Sequence, residues 1–209
     1  MITKTIGILD KKGGILPRFF WTREPKYHTK DGRVHVNADP NTGLWQGTYN
    51  GAFDADANCL LTNVSSDFSV TVRTESFPAL QNEQCGLTIG TNAENWIKVA
   101  TEYIDSNRSR LISVVTNLGW SDLAIADDRP STTFLRWYRI QSRGKDFLIE
   151  ASLDGEAWNP LRVAHLHYSS KTLSVGIFAC SPSQVGGFEA IFDHFSLGDS
   201  NWTDASVIL

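Results

Sequence analysis

Three side chains on one face of a predicted β-strand have the chemistry to bind a polar ligand. Residues 96–103 (WIKVATEY) alternate with the two-residue period of a strand. Ile97 is predicted to face a core, whereas Trp96, Lys98 and Glu102 share the opposite face. Strand spacing puts Lys98 and Glu102 within about 14 Å of each other. An indole beside an ammonium group and a carboxylate can stack on a sugar ring and hydrogen-bond to its hydroxyls.

Further polar residues are candidates for the same face, namely Gln84, Thr116, Asp122 and Arg162. Lys98 and Arg162 would donate to hydroxyl or anionic oxygens, and the carboxylates and Gln84 would accept from hydroxyls. The return strand, residues 110–117, has no register fixed by the sequence, so the assignment of Thr116 to this face is a hypothesis. Alanine at Trp96 or Lys98 is expected to abolish ligand binding and to change the free energy of unfolding by no more than about 1 to 2 kcal/mol.

Two other interpretations of these residues stay open. The stripe that contains Trp96 could be an ordinary solvent-facing strand surface, because exposed strand faces are polar. A retaining glycoside hydrolase needs two carboxylates about 5 to 5.5 Å apart. No predicted strand carries such a pair, although Glu102 and Asp122 could meet in space. No catalytic residue is therefore assigned.

His165 and His167 lie on one face of a predicted strand and could together hold a metal ion. No acidic or cysteine ligand stands obviously near them in the sequence. We therefore predict neither a metal nor a cofactor.

The elements that must position these residues are predicted to be strands throughout. Short alternating segments are separated by turn signals such as Asp39-Pro40 and Asp154-Gly155, and no segment has helical periodicity. This pattern indicates an all-β antiparallel sandwich, and the whole chain, residues 1–209, is read as one domain.

Composition narrows the classes of partner. The 209 residues carry a formal net charge of -4, which argues against nucleic acid or an anionic membrane as a partner. The three cysteines, Cys59, Cys85 and Cys180, are odd in number and widely separated, as expected of free thiols in a reducing compartment. The first residues do not have the pattern of a secretory signal, so we expect a cytoplasmic protein.

Several motifs, in one order between about residues 20 and 197, resemble the domain-of-unknown-function family 1349. They read QCGL, WIKVATEY, SVVTNLGWSD, SLDGEAW followed by Arg162, VGIFACSP and GFEAIFDHF. The resemblance implies a concanavalin A-like jelly roll of two antiparallel sheets with a concave inner face. Fungal members of this family are described as regulators of enolase. Two positions depart from the family pattern. Gly43 stands where the family commonly has an acidic residue, and Leu123 stands where it has a tryptophan.

Three functions follow from the residues and the resemblance together. The first is a module that binds a carbohydrate or a small polar metabolite in its concave face. The second is a protein-interaction module that regulates a metabolic enzyme. The third is an enzyme that acts on a sugar derivative.

Overall fold

The structure of the protein is a computed structural model that describes residues 5–129, 135–168 and 170–203. The regular elements in this part of the chain are β-strands. The strands within this part are β1 (Phe20–Trp21), β2 (Lys26–Lys30), β3 (Arg33–Asn37), β4 (Leu44–Gln46), β5 (Phe53–Ala55), β6 (Asn58–Val64), β7 (Phe68–Ser76), β8 (Gln84–Asn92), β9 (Asn95–Asp105), β10 (Arg108–Asn117), β11 (Trp120–Arg129), β12 (Leu135–Arg143), β13 (Asp146–Ser152), β14 (Asn159–His165), β15 (Leu173–Cys180) and β16 (Glu189–Asp199). No helix occurs in these ranges.

Strand β7 shows why these sequences form strands. Its buried and half-buried positions alternate without interruption, with Phe68, Val70 and Val72 fully buried. Phenylalanine and β-branched valine favour the pleated backbone, and the two-residue period turns all three toward the core. Strand β7 thus has the two-residue alternation that the sequence predicts for its short segments in general.

Two antiparallel sheets of seven strands make up the sandwich. The first sheet has the order β1-β6-β15-β8-β9-β10-β11, and the second has the order β14-β13-β12-β7-β16-β3-β2. A separate two-stranded ribbon pairs β4 with β5. The predicted fold class, an all-β sandwich of two antiparallel sheets, is confirmed.

The main core lies between the sheets. Leu87 and Ile97 of the first sheet belong to the same buried cluster as Val70 and Tyr138 of the second. The hydroxyl groups of Tyr138 and Thr101 lie 2.7 Å apart and form a hydrogen bond between the sheets. Because the Tyr138 side chain is fully buried, this bond satisfies a group that would otherwise destabilise the core.

Residues 120–122 begin β11, which pairs with β10 through a tight turn at Leu118 and Gly119. Both turn residues have positive φ, as a two-residue hairpin turn of this type requires.

No helix in the described residues has the length and apolar character needed to cross a membrane.

Candidate functional site

The outer face of the first sheet is covered by the β4–β5 ribbon (residues 44–55). Strand β9 presents Ile97 to the main core, whereas Trp96 and Ala100 belong to a second buried cluster on the other face. Leu44 of the ribbon is part of that second cluster. The face that carries the predicted site is therefore packed against a neighbouring segment of the chain.

Hydrogen bonds fix the ribbon to the sheet at the end of β4 and close the base of the ribbon. The backbone N–H of Gln46 donates to Ser121 Oγ at 2.9 Å, and Ser121 Oγ lies 2.7 Å from Thr116 Oγ1. At the start of the ribbon, the N–H of Gly43 donates to Asp56 Oδ1 at 2.9 Å. Gly47 has positive φ, and a Cβ there would lie 2.9 Å from the Trp120 ring. Glycine at this position allows the ribbon to approach β11 closely.

Two cavities lie on this face, with Leu44 in the wall of both. We call the first the apolar pocket; it has a volume of about 260 Å³ and is lined by residues that include Phe20, Ala55, Leu61 and Trp96. We call the second the polar cleft; it has a volume of about 290 Å³. The residues of the polar cleft include Trp45, Tyr49, Asp54, Asn82, Gln84, Lys98 and Glu102.

Lys98 is a buried cation in the wall of the polar cleft. Its side chain is 3% exposed, and Nζ donates to the backbone oxygen of Leu44 at 2.7 Å. Nζ also lies 5.7 Å from the centre of the Trp96 ring, within the range of a cation–π contact. Burial lowers the pKa of the Lys98 ammonium group, and the negative charges of neighbours such as Glu102 and Asp54 oppose this effect.

The acceptors of the polar cleft are amide and carboxylate oxygens. Gln84 is 5% exposed, and its Oε1 has no hydrogen-bond partner among the described residues, whereas its Nε2 donates to the backbone oxygen of Asn82. Glu102 Oε2 accepts from Arg110 Nη2 at 2.8 Å. Burial and the nearby charge of Asp56 raise the pKa of Asp54, and Lys98 acts in the opposite direction.

Trp96 faces the same side as Lys98 but lies in the apolar pocket. Its indole is 4% exposed, and its Nε1 donates to the backbone oxygen of Ala93 at 3.1 Å. Gly90 is its partner on β8, where a Cβ would lie only 2.7 Å from the Trp96 Cβ. The Trp96 ring is therefore buried together with Leu44 of the ribbon and does not stand open beside Lys98 and Glu102.

The other predicted site residues do not line the polar cleft. Thr116 lies opposite Trp96 on β10 and is fully buried, and its hydroxyl binds Ser121, which holds the ribbon. Arg162 Nη2 donates to Asp122 Oδ1 at 2.8 Å and thereby joins the two sheets at their edges. Of the predicted set, the structure brings together Gln84, Lys98 and Glu102.

Sequence reasoning did not assign Trp45, Tyr49 or Asp54 to the site. All three come from the ribbon, whose sequence LWQGTYNGAFDA mixes aromatic and glycine residues without a regular period. The abundance of aromatic residues was the available signal. Gly43 and Leu123, the two departures from the family pattern, also line the polar cleft.

Within the described residues, Cys59, Cys85 and Cys180 are buried and free of disulfides. Burial raises the pKa of each thiol to about 12. The charge of Lys98 lowers the pKa of Cys59 and Cys180, but burial outweighs it, so these thiols stay neutral and pack as small apolar groups.

The two sheets and the covered outer face define an antiparallel β-sandwich with a polar cleft. Among solved structures, a functionally unknown protein from Saccharomyces cerevisiae matches with a TM-score of 0.80 and 25% identity, over 88% of this chain and 98% of that one. A carbohydrate-binding module, CBM66 from Bacillus subtilis, matches with a TM-score of 0.56 and 10% identity, over 87% of this chain and 96% of the module. A xylan β-1,4-xylosidase from Bacillus halodurans matches with a TM-score of 0.62 and 15% identity, over 89% of this chain and 40% of the enzyme.

The chain belongs to the family described as protein of unknown function DUF1349, whose model matches residues 21–200. The predicted membership is therefore confirmed. A search of the curated proteins finds no match. At 10% and 15% identity, the likeness to the module and the xylosidase concerns the fold alone.

Proposed function

We propose that the polar cleft binds a carbohydrate or a similar polyhydroxylated metabolite. The observation that carries this proposal is a pair of buried polar groups that the protein leaves incompletely satisfied. Gln84 Oε1 has no partner in the described part of the chain, and Lys98 makes one hydrogen bond there although its ammonium group has three donors. Both residues line the same cleft, and buried polar groups of this kind are normally paired.

The arrangement of donors and acceptors suits neighbouring hydroxyl groups. A hydroxyl can accept from Lys98 and donate to Gln84 Oε1 or to Glu102, so a diol can satisfy several of these groups together. Trp45 lines the cleft from the ribbon, where its Nε1 is held by the backbone oxygen of Thr48 at 2.7 Å. Its ring face provides the apolar surface that sugar sites combine with convergent polar groups.

Tyr49 supplies a second aromatic ring at the edge of the cleft. It is fully exposed and has a positive φ of 72°, which is uncommon for a residue with a bulky side chain. Strained and exposed positions of this kind cluster at ligand sites. The likeness of the fold to a carbohydrate-binding module is consistent with the same proposal.

A thermal-shift and calorimetry series with mono- and oligosaccharides, both neutral and acidic, tests the proposal. A saccharide at one hundred times its Kd should stabilise the protein by about 2.7 kcal/mol, which raises Tm by several degrees. Lys98→Met and Gln84→Leu should each abolish this rise. Lys98→Met should change the stability of the unliganded protein little, because relief of a buried charge offsets the loss of the bond to Leu44.

Lys145→Met is the matched control, because Lys145 also donates to a backbone oxygen, that of Tyr168, but lies outside the polar cleft. It should retain the full response to the saccharide. The proposal is wrong if no saccharide in the series raises Tm, or if Lys98→Met responds as the unaltered protein does.

A second candidate function, regulation of a metabolic enzyme by direct contact, is favoured by exposed apolar side chains of β11. Leu123 and Ile125 lie two residues apart on one face of this edge strand, and Trp120 is exposed at its start. A pull-down in which the protein retains a metabolic enzyme at one-to-one stoichiometry, and in which Ile125→Lys does not, would support this candidate.

Three buried free thiols support a reducing compartment, and we propose the cytoplasm.

A further inference from the structure

A pair of histidines lies on the outer face of the second sheet, away from the polar cleft. His28 of β2 and His35 of β3 are directly paired across the two strands. Their rings are stacked, with centroids 4.4 Å apart and planes inclined by 19°. Facing positions on antiparallel strands hold side chains at this separation because the Cβ atoms are about 4.5 to 5.5 Å apart.

A carboxylate completes the group. Glu189 lies on β16, the other neighbour of β3, and its Oε1 is 3.0 Å from Nδ1 of His35. One ligand atom from each of the three residues can be chosen so that all three atoms lie within 4.8 Å of one another. Three adjacent strands thus each contribute one potential metal ligand.

We propose that His28, His35 and Glu189 bind a divalent transition-metal ion, with zinc as the expected occupant. Zinc binds imidazole nitrogen and carboxylate oxygen at about 2.0 to 2.2 Å, which separates two ligands of a tetrahedral site by about 3.3 Å. The His35–Glu189 pair is already near this separation, and the exposed side chain of His28 can complete the approach. Water would fill the remaining position.

The chemistry of the three side chains selects the class of ion. Imidazole favours zinc, copper and nickel, whereas magnesium and calcium prefer sites made of oxygen atoms. The cation nearest along β3, Arg33, pairs with Glu75 and Asp193, so its charge is compensated. A bound ion would connect the edge strand β2 to β3 and β16 and would thereby stabilise the edge of the sheet.

A second pair of histidines provides an internal comparison. The rings of His165 and His167 are 5.1 Å apart and nearly perpendicular, and Nδ1 of His165 is 2.7 Å from Asp146. Among the described residues, these three do not form a group with ligand atoms close enough to hold one ion. We therefore expect the first pair to bind a metal ion and the second pair not to, although the residue types are similar.

The test is titration of the full chain with cobalt(II), followed by visible spectroscopy, and with zinc, followed by calorimetry. One ion should bind per chain, with d–d bands of a site of low coordination number. His28→Ala and Glu189→Gln should each weaken binding by at least about tenfold. Because both side chains are partly or largely exposed, these variants should fold, and circular dichroism will verify this.

The double variant His165→Ala/His167→Ala is the matched control and should bind as the unaltered chain does. Hydrogen exchange gives an independent measurement, because zinc should slow exchange of the β2 amides in the unaltered chain but not in His28→Ala. The proposal is overturned if neither ion binds, or if His28→Ala binds as tightly as the unaltered chain. Loss of binding in the control variant would also overturn it, because it would assign the ion to His165 and His167.

Discussion

Trp96 and Lys98 stand two residues apart on the same face of the same strand, yet they belong to different environments. Trp96 lies in the apolar pocket, whereas Lys98 lies in the polar cleft and donates to Leu44. Leu44 belongs to the walls of both cavities. Strand alternation decides which face a side chain takes, but the segment that packs on that face decides what the side chain can do.

The comparison assigns complementary roles to the two residues. The buried Trp96 ring lies 5.7 Å from the Lys98 ammonium group, so it contacts the cation from the apolar side while the cleft contacts it from the other. Trp96 would then support the position of Lys98 without touching a ligand in the polar cleft. Each of the following predictions can break or sharpen this division.

The largest expected effect is that of Trp96→Ala on stability. Truncation of an indole that is 4% exposed should lower the free energy of unfolding by about 3 to 5 kcal/mol, because it leaves a cavity in the second buried cluster. Trp120→Ala is the matched control, since that ring is 64% exposed and should change stability by roughly 0.5 kcal/mol. Urea unfolding of both variants measures the difference.

A loss below about 1 kcal/mol in Trp96→Ala would contradict this assignment. It would return Trp96 to the role expected from the sequence, a ring available to a ligand. The apolar pocket would then be part of the binding site.

The next effect concerns alkaline pH and tests whether the second cluster is as dry as the main core. Burial raises the pKa of Cys180 in the second cluster and of Cys85 in the main core to about 12. In the unfolded chain a thiol loses its proton near pH 8.5, so the folded state retains protons that the unfolded state has released. Stability should therefore fall as pH rises from about 8.5 toward 12, by roughly 1 kcal/mol per pH unit for each thiol.

Lys98 has the opposite effect on the pH dependence of stability over part of this pH range. Burial lowers its pKa in the folded protein, so deprotonation relieves the folded state and stability rises with pH through the interval below the unfolded value. The three thiols outnumber it, and the net slope should be negative. Denaturation curves at several pH values should give a reduced slope in Cys85→Ala and in Cys180→Ala, although the charge of Lys98 acts on Cys180 and opposes the effect of burial there. An unchanged slope in Cys180→Ala would show that water reaches the second cluster.

The sequence predicts the faces of the strands well, and particular residues show why. Strand β9 divides Ile97 from Trp96 as expected. This division is a consequence of a local period of two residues. Lys98 and Glu102 line the polar cleft from the face that this period gives them, and Gln84, a candidate from the family motif QCGL, is the β8 partner of Glu102 and lines the cleft too.

The sequence could not show what covers that face. The contact between Lys98 and Leu44 joins residues 54 positions apart, and no periodic pattern marks the ribbon as a covering element. The same limit applies to Asp122, for which a meeting with Glu102 in space was left open. It instead meets Arg162, 40 positions later, because β11 and β14 form facing edges of the two sheets.

The smallest expected effect is that of Asp122→Asn, which tests whether the edge of the sandwich contributes to the site at all. The Asp122 side chain is 70% exposed and forms an ion pair with Arg162 at 2.8 Å. Exposed pairs contribute about 0.2 to 1 kcal/mol, so urea unfolding should show a loss within that range that diminishes as salt is added. Because neither residue lines the polar cleft, the rise of Tm with a bound saccharide should be the same as in the unaltered protein. A loss of the saccharide response in Asp122→Asn, with stability retained, would mean that the binding surface extends from Lys98 across β10 and β11 to this edge.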